Sequence, residues 1–98
     1  MPDRVELNPD WPWAKDFRIA QGVKVGDTVY VSGQVGFDRE GNIVGGNDMK
    51  AQSKQTFENV RQVLAEAGAT MEDVVKILAF ITDMDQYAAY AEARSEAF

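Results

Sequence analysis

One stretch constrains the fold of this chain more than any other: Val74-Val75-Lys76-Ile77-Leu78-Ala79-Phe80-Ile81-Thr82. Successive strand residues point to opposite faces, and here both faces are apolar, with Lys76 the sole charge. A strand with no polar face is a central strand, covered on both sides. The rest of the chain must therefore supply a sheet to flank it and layers to cover it. With 98 residues the chain makes one domain, and a domain this small buries only about 60–65% of the surface its unfolded form exposes. It has neither cysteine nor histidine. That excludes disulfides, Ser-His-Asp and Cys-His catalysis, and every metal site that needs His or Cys ligands. Oligomerisation is the remaining way for so small a core to gain buried surface.

The other elements follow from period and punctuation. Residues 1–17 read as an irregular N-terminal segment, with Pro2, Pro9 and Pro12 fixing the backbone and Trp11 and Trp13 expected to cover a core edge. Residues 19–25 read as a strand with Ile19, Gln21, Val23 and Val25 on one face. Gly26-Asp27 is a hairpin signal. In the next strand Val29, Val31, Gly33, Val35 and Phe37 point one way, and Thr28, Tyr30, Ser32, Gln34 and Gly36 the other. A turn over 38–42 and a short return strand at Ile43-Val44 come next. A helix capped by Asn47 or Asp48 then carries Met49, Phe57, Val60, Leu64 and Ala67 at helical spacing and stops at Gly68. Thr70 and Asp73 bracket one turn. Asp83 and Asp85 precede a second helix from about Gln86, with Tyr87, Tyr90 or Ala91, and Phe98 as its apolar stripe. That helix runs to Phe98 without a stop signal, so the domain is expected to be C-terminally truncated. The order is β-β-(β)-α-β-α, an α+β class.

Net charge is −6, which repels phosphate backbones unless basic residues cluster. Lys50, Lys54 and Arg61 share one side of the first helix, where a solvated face is the expected role. No apolar run reaches the ~18 residues of a membrane span, and the opening Met1-Pro2-Asp3-Arg4 has no apolar core of a signal peptide, so a cytoplasmic location is expected. Asp83/Asp85 and Glu72/Asp73 read as caps rather than an acid–base pair. The glycines lack phosphate-loop spacing, and no cofactor or metal is expected. The feature that does suggest chemistry is Ser32-Gly33-Gln34. A glycine inside a strand often marks a close approach by a ligand or another backbone, and an open N–H there can hold a carboxylate. A bulge or a tight sheet contact is the alternative reading.

The run Val23-Lys24-Val25-Gly26-Asp27-Thr28-Val29-Tyr30-Val31-Ser32-Gly33-Gln34-Val35-Gly36 resembles the signature strand pair of the YjgF/RidA family. Gln52…Gln55-Thr56-Phe57-Glu58-Asn59-Val60…Leu64-Ala65-Glu66-Ala67-Gly68 is similar to that family's first helix, and Val74-Val75-Lys76…Phe80-Ile81-Thr82-Asp83-Met84 to its central strand, in the same order over roughly residues 17–98. The resemblance implies a chorismate-mutase-like fold with two helices on one side of a mixed sheet. It also implies a homotrimer with ligand pockets between subunits, and hydrolysis of enamines and imines to keto acids and ammonia. By the same resemblance Ser32, Gly33 and Gln34 form the carboxylate-holding strand. Ile19 stands at a wall position the family gives to Tyr, Ala91 stands near one it gives to Asn, and Tyr87 fits the second helix. The family's Arg and Glu belong to two strands after that helix, and the catalytic residues of this chain stay unassigned. A non-catalytic binder of small carboxylate metabolites is the alternative, and an endoribonuclease ranks last. No nucleic acid or membrane partner is expected.

Overall fold

The fold is described from a computed structural model, over residues 3–98. Strand β1 (Arg4–Leu7) pairs antiparallel with β2 (Gly22–Val25), and β2 with β3 (Thr28–Val31), giving a sheet of order β1-β2-β3. Helix α1 (Met49–Glu66) lies against this sheet, and α2 (Tyr87–Ala97) packs along α1. The α+β class is as expected, but the sheet is not built where the sequence placed it.

Cross-strand register explains which side α1 covers. Leu7, Gly22 and Val31 stand opposite one another, as do Val5, Lys24 and Val29, so these share a face. Leu7, Trp11 and the fully buried Val63 of α1 form one core cluster, with Val29 and Val31 packed against it. Gly22 makes this contact possible: a Cβ there would stand 2.6 Å from the Val63 Cγ1. A second cluster joins the helices through Phe57 on α1 and Tyr90 and Ala93 on α2, with Ile81 at its margin.

Several expected elements hold. The hairpin turn falls at Gly26-Asp27. The Asp48 carboxylate caps α1 by accepting from the Ala51 N–H at 3.1 Å. Gly68 ends α1 with a positive φ of 74°, and Thr70 with Asp73 forms a capping box. Trp11 is buried and its ring stacks on Trp13 at 5.4 Å. Its indole N–H donates to Gln62 Oε1 of α1 at 2.8 Å.

Five expectations need correction. The N-terminal segment is not irregular throughout: Arg4–Leu7 is a strand, because Leu7 finds the Val63 cluster, and Pro12–Phe17 is a 3-10 turn with proline at its start. The strand expected over 19–25 begins only at Gly22, leaving Ile19 in an exposed bend. The strand expected over 28–37 ends at Val31, and residues 32–36 run on without ladder partners. The return at 43–44 is a single bridge, Phe37 to Ile43. Most consequentially, residues 74–82 form no strand pairing among the described residues. Val75 is 99% exposed, Leu78 76% and Phe80 88%, and among the described residues no backbone hydrogen bond involves 75–82. A strand becomes central only when partners flank it, and among the described residues none does.

Candidate functional site

An open trough of about 1270 Å³ separates β3 from residues 73–81. Its floor is α1, from Met49 through Gln52, Phe57 and Val60 to Leu64. One wall is β3 and its continuation to Gly36. The other is the unpaired apolar segment, and Tyr90 and Phe98 also line the space. The charged side chains on its rim balance, with Lys24 and Lys76 against Asp27 and Asp73.

The wall at residues 32–36 is held firmly despite having no strand partner. The Ser32 N–H donates to the Gln21 carbonyl at 2.9 Å and the Ser32 hydroxyl to the Ala20 carbonyl at 2.7 Å. Gln34 Nε2 donates to Gln21 Oε1 at 3.0 Å and to the Ser32 carbonyl at 3.2 Å. Asn59, buried on α1, donates from Nδ2 to the carbonyls of Val35 and Phe37, both at 2.9 Å. Gly36 lies so close to α1 that a Cβ would meet the Gln52 carbonyl oxygen at 3.0 Å. Asn59 is the residue that sequence reading passed over. Its signal was a side chain with two donors at a core-facing helix position, which only pays off structurally if backbone carbonyls lie opposite.

These bonds decide which groups remain for a ligand. The Ser32 hydroxyl proton and both Gln34 amide protons are committed to protein acceptors, so neither side chain is a free donor. The N–H groups of Gly33, Gln34, Val35 and Gly36 find no acceptor among the described residues. Gly33 itself is exposed, with nothing within 4 Å of where a Cβ would stand. The wall thus offers backbone donors, and backbone donors favour an anion. Of the six residues singled out from sequence, Ser32, Gly33 and Gln34 line the trough; Ile19, Tyr87 and Ala91 do not. Ile19 is exposed on its bend, and the Tyr87 hydroxyl accepts from Arg94 Nη1 at 3.4 Å.

The basic stripe on α1 has partners. Lys50 Nζ bonds Glu92 Oε1 of α2 at 2.7 Å and approaches Glu96 at 3.5 Å, Lys54 lies 3.9 Å from Glu96, and Arg61 pairs with Glu58. The Arg61 guanidinium holds the Glu58 carboxyl below its ordinary value, chiefly through that hydrogen bond. Among the described residues no group of three or more acidic side chains could hold a metal ion, and no helix is long and apolar enough to cross a membrane.

These features define a small α+β domain with a helix-floored trough beside its sheet edge. Residues 16–98 match the family model described as Endoribonuclease L-PSP. A RutC family protein of Pyrococcus abyssi is 42% identical over 80 residues, covering 81% of this chain and 62% of that protein. RidA from an Antarctic Psychrobacter is 40% identical with a TM-score of 0.76, covering 83% of this chain and 65% of that one. Yeast Mmf1 superposes with a TM-score of 0.87 at 26% identity, over 98% of this chain and 76% of its own. The chain belongs to the YjgF/RidA family, and it spans about three fifths of the length of the curated relative it matches.

Proposed function

We propose that the protein binds small carboxylate-bearing metabolites at the 32–36 wall, and that its reaction class is the hydrolysis of reactive enamines and imines to keto acids and ammonia. The observation that carries the binding is the run of unpaired N–H groups from Gly33 to Gly36, beside a glycine whose missing side chain leaves the backbone approachable. Family membership supports the reaction class. In such a hydrolysis water adds to the imine carbon and the resulting carbinolamine expels ammonia, leaving the ketone. The substrate carboxylate stays a spectator, so a fixed anion site serves to orient the reacting carbon. Ile19, Tyr87 and Ala91 lie off the trough of their own subunit and would reach the ligand across a subunit boundary, in the homotrimer the family resemblance implies.

The second reading is a non-catalytic binder. The identity of Ile19 and Ala91 favours it, since neither side chain can hydrogen-bond a ligand. Titration with pyruvate or 2-oxobutyrate, followed through the amide resonances of residues 33–36, tests binding. Ammonia release from an imino acid generated in situ tests turnover. Binding with turnover supports the hydrolase, binding without turnover supports the binder, and no binding at millimolar keto acid overturns both. An RNA-cleaving role finds no support in the charge pattern, because the basic stripe on α1 is ion-paired and the net charge is −6.

A further inference from the structure

Asn59 fixes the 33–36 run from one side, through the carbonyls of Val35 and Phe37. Beyond Phe37 the chain turns through residues 38–42 and returns to bridge Phe37 with Ile43. The Val44 N–H then donates to the Gly36 carbonyl at 2.8 Å. The wall therefore ends in a small closed turn, and whatever holds that turn also sets where the wall ends. The turn is stiff in itself. Asp38 Oδ1 accepts from the N–H groups of Glu40 and Asn42, both at 2.9 Å, and the Asp38 N–H donates to the Asn42 carbonyl at 2.9 Å. Such a turn shifts as a body and carries Phe37 and Gly36 with it. Trp13 is what it rests on. The Trp13 indole N–H donates to the Asp38 carbonyl at 3.1 Å, and its ring meets the Phe37 ring edge-on at 5.2 Å. Gly41 lies so close that a Cβ there would stand 3.0 Å from the Trp13 Cβ.

We propose that Trp13 is a positioning residue for the Gly33–Gly36 donor run, holding the 37–42 turn in place and so fixing the direction of the N–H groups where the wall ends. Trp13 is itself seated on α1. Its ring stacks on Trp11 at 5.4 Å, and Trp11 is buried with Leu7 and Val63 and donates to Gln62. Asn59, Gln62 and Val63 fall within about one turn of α1, so the same stretch of helix grips the wall directly through Asn59 and indirectly through the two tryptophans. Trp13 does not line the trough and acts only through Phe37 and Asp38. The role needs tryptophan rather than another aromatic, because its ring can pack while its N–H reaches a backbone carbonyl. The other tie to the turn, Arg39 with Asp10 at 3.2 Å, is exposed and adds little. The consequence for ligand affinity rests on the carboxylate reading, whereas the consequence for the shape of the wall does not.

The amide resonances of residues 33–36 in the ligand-free protein test this directly. Trp13→Phe should shift them, Trp13→Ala should shift the same resonances further in the same direction, and Arg39→Ala should leave them in place. Helical circular dichroism and the fluorescence of buried Trp11 check that each variant is folded, and where Trp13→Ala fails that check Trp13→Phe alone decides. In a keto-acid titration Trp13→Phe should bind about two- to tenfold more weakly, a loss bounded by the worth of one hydrogen bond. The Trp13 indole N–H resonance of the parent should in turn move on addition of keto acid although it lies off the wall, as reciprocal coupling requires. Shifts confined to residues 9–17 and 38–42, with 33–36 unchanged, would overturn the positioning role and leave Trp13 as packing alone. A parent that binds no keto acid would overturn the carboxylate reading, while the ligand-free shifts still decide the role of Trp13.

Discussion

Gly22 and Gly33 are both strand-region glycines, and their surroundings give them opposite roles. Gly22 is a packing residue. Gly22→Ala drives a methyl against fully buried Val63, and overpacking of this kind costs about 1–3 kcal/mol, which a urea titration would show as a lower midpoint. Gly33 faces open space, so Gly33→Val should keep the same unfolding midpoint within about 0.5 kcal/mol while abolishing keto-acid binding, read by amide shifts. A Gly33→Val protein that binds as tightly as the parent sinks the anion site. Ser32 changes meaning once its partner is seen. Its hydroxyl donates to the Ala20 carbonyl, so Ser32→Ala should cost about 0.5–1.5 kcal/mol of stability and leave ligand affinity nearly unchanged. Asn59→Ala strands two carbonyls on the 35–37 segment. A loss of about 1–3 kcal/mol is expected together with weaker binding, because the wall loses its tether.

At the scale of elements, α1 joins the two core clusters, one against the sheet and one against α2. Its outer face is tied by ion pairs rather than apolar contact. Glu58 is held below its ordinary 4.5 by Arg61. A carboxylate with a lowered folded value adds stability that is present above the unfolded value and is lost as the pH falls through the folded one. The pair is substantially exposed, so its contribution is screened and belongs to the range of about 0.2–1 kcal/mol for surface pairs. Glu58→Gln should therefore flatten a small part of the acid limb of stability below pH 4.5 at low salt, and the difference should vanish in molar salt. The Lys50 and Lys54 contacts with Glu92 and Glu96 tie α2 to α1 and occupy the charges a nucleic acid would need. An anisotropy titration with single-stranded RNA at physiological salt should show no saturable binding. A micromolar affinity with a steep salt slope would contradict this.

As a whole molecule the protomer is poorly covered. Its buried apolar residues fall into two small clusters, while the most apolar run in the chain lies open to solvent. Domains of about 100 residues unfold with a heat-capacity change of about 1.2–1.5 kcal/mol/K. The isolated protomer should fall clearly below that range in calorimetry, since the change tracks the apolar surface exposed on unfolding. The midpoint temperature should also rise with protein concentration, as mass action requires when folded copies associate. A normal heat-capacity change with a concentration-independent midpoint would mean that residues 74–82 are covered within one chain.

Features under local chemical control can be read directly from the order of residues. The Gly26-Asp27 hairpin, the Asp48 cap, the Thr70–Asp73 box, the end of α1 at Gly68 and the onset of the second helix each depend on residues a few positions apart. Family membership was legible for a related reason, since three blocks in fixed order carry it. That Leu7 makes a strand of its neighbours is visible only in the folded chain, because it needs Val63 fifty-six positions away. The fold also decided that the donors left unpaired along the trough wall are backbone N–H groups and not the Ser32 and Gln34 side chains, because Ala20 and Gln21 fold back to claim side-chain protons there. Residues 74–82 mark the boundary between the two kinds of knowledge. Their pattern states that a strand here must be covered on both faces. Coverage is a property of what stands beside a segment, and among the described residues no strand stands beside this one.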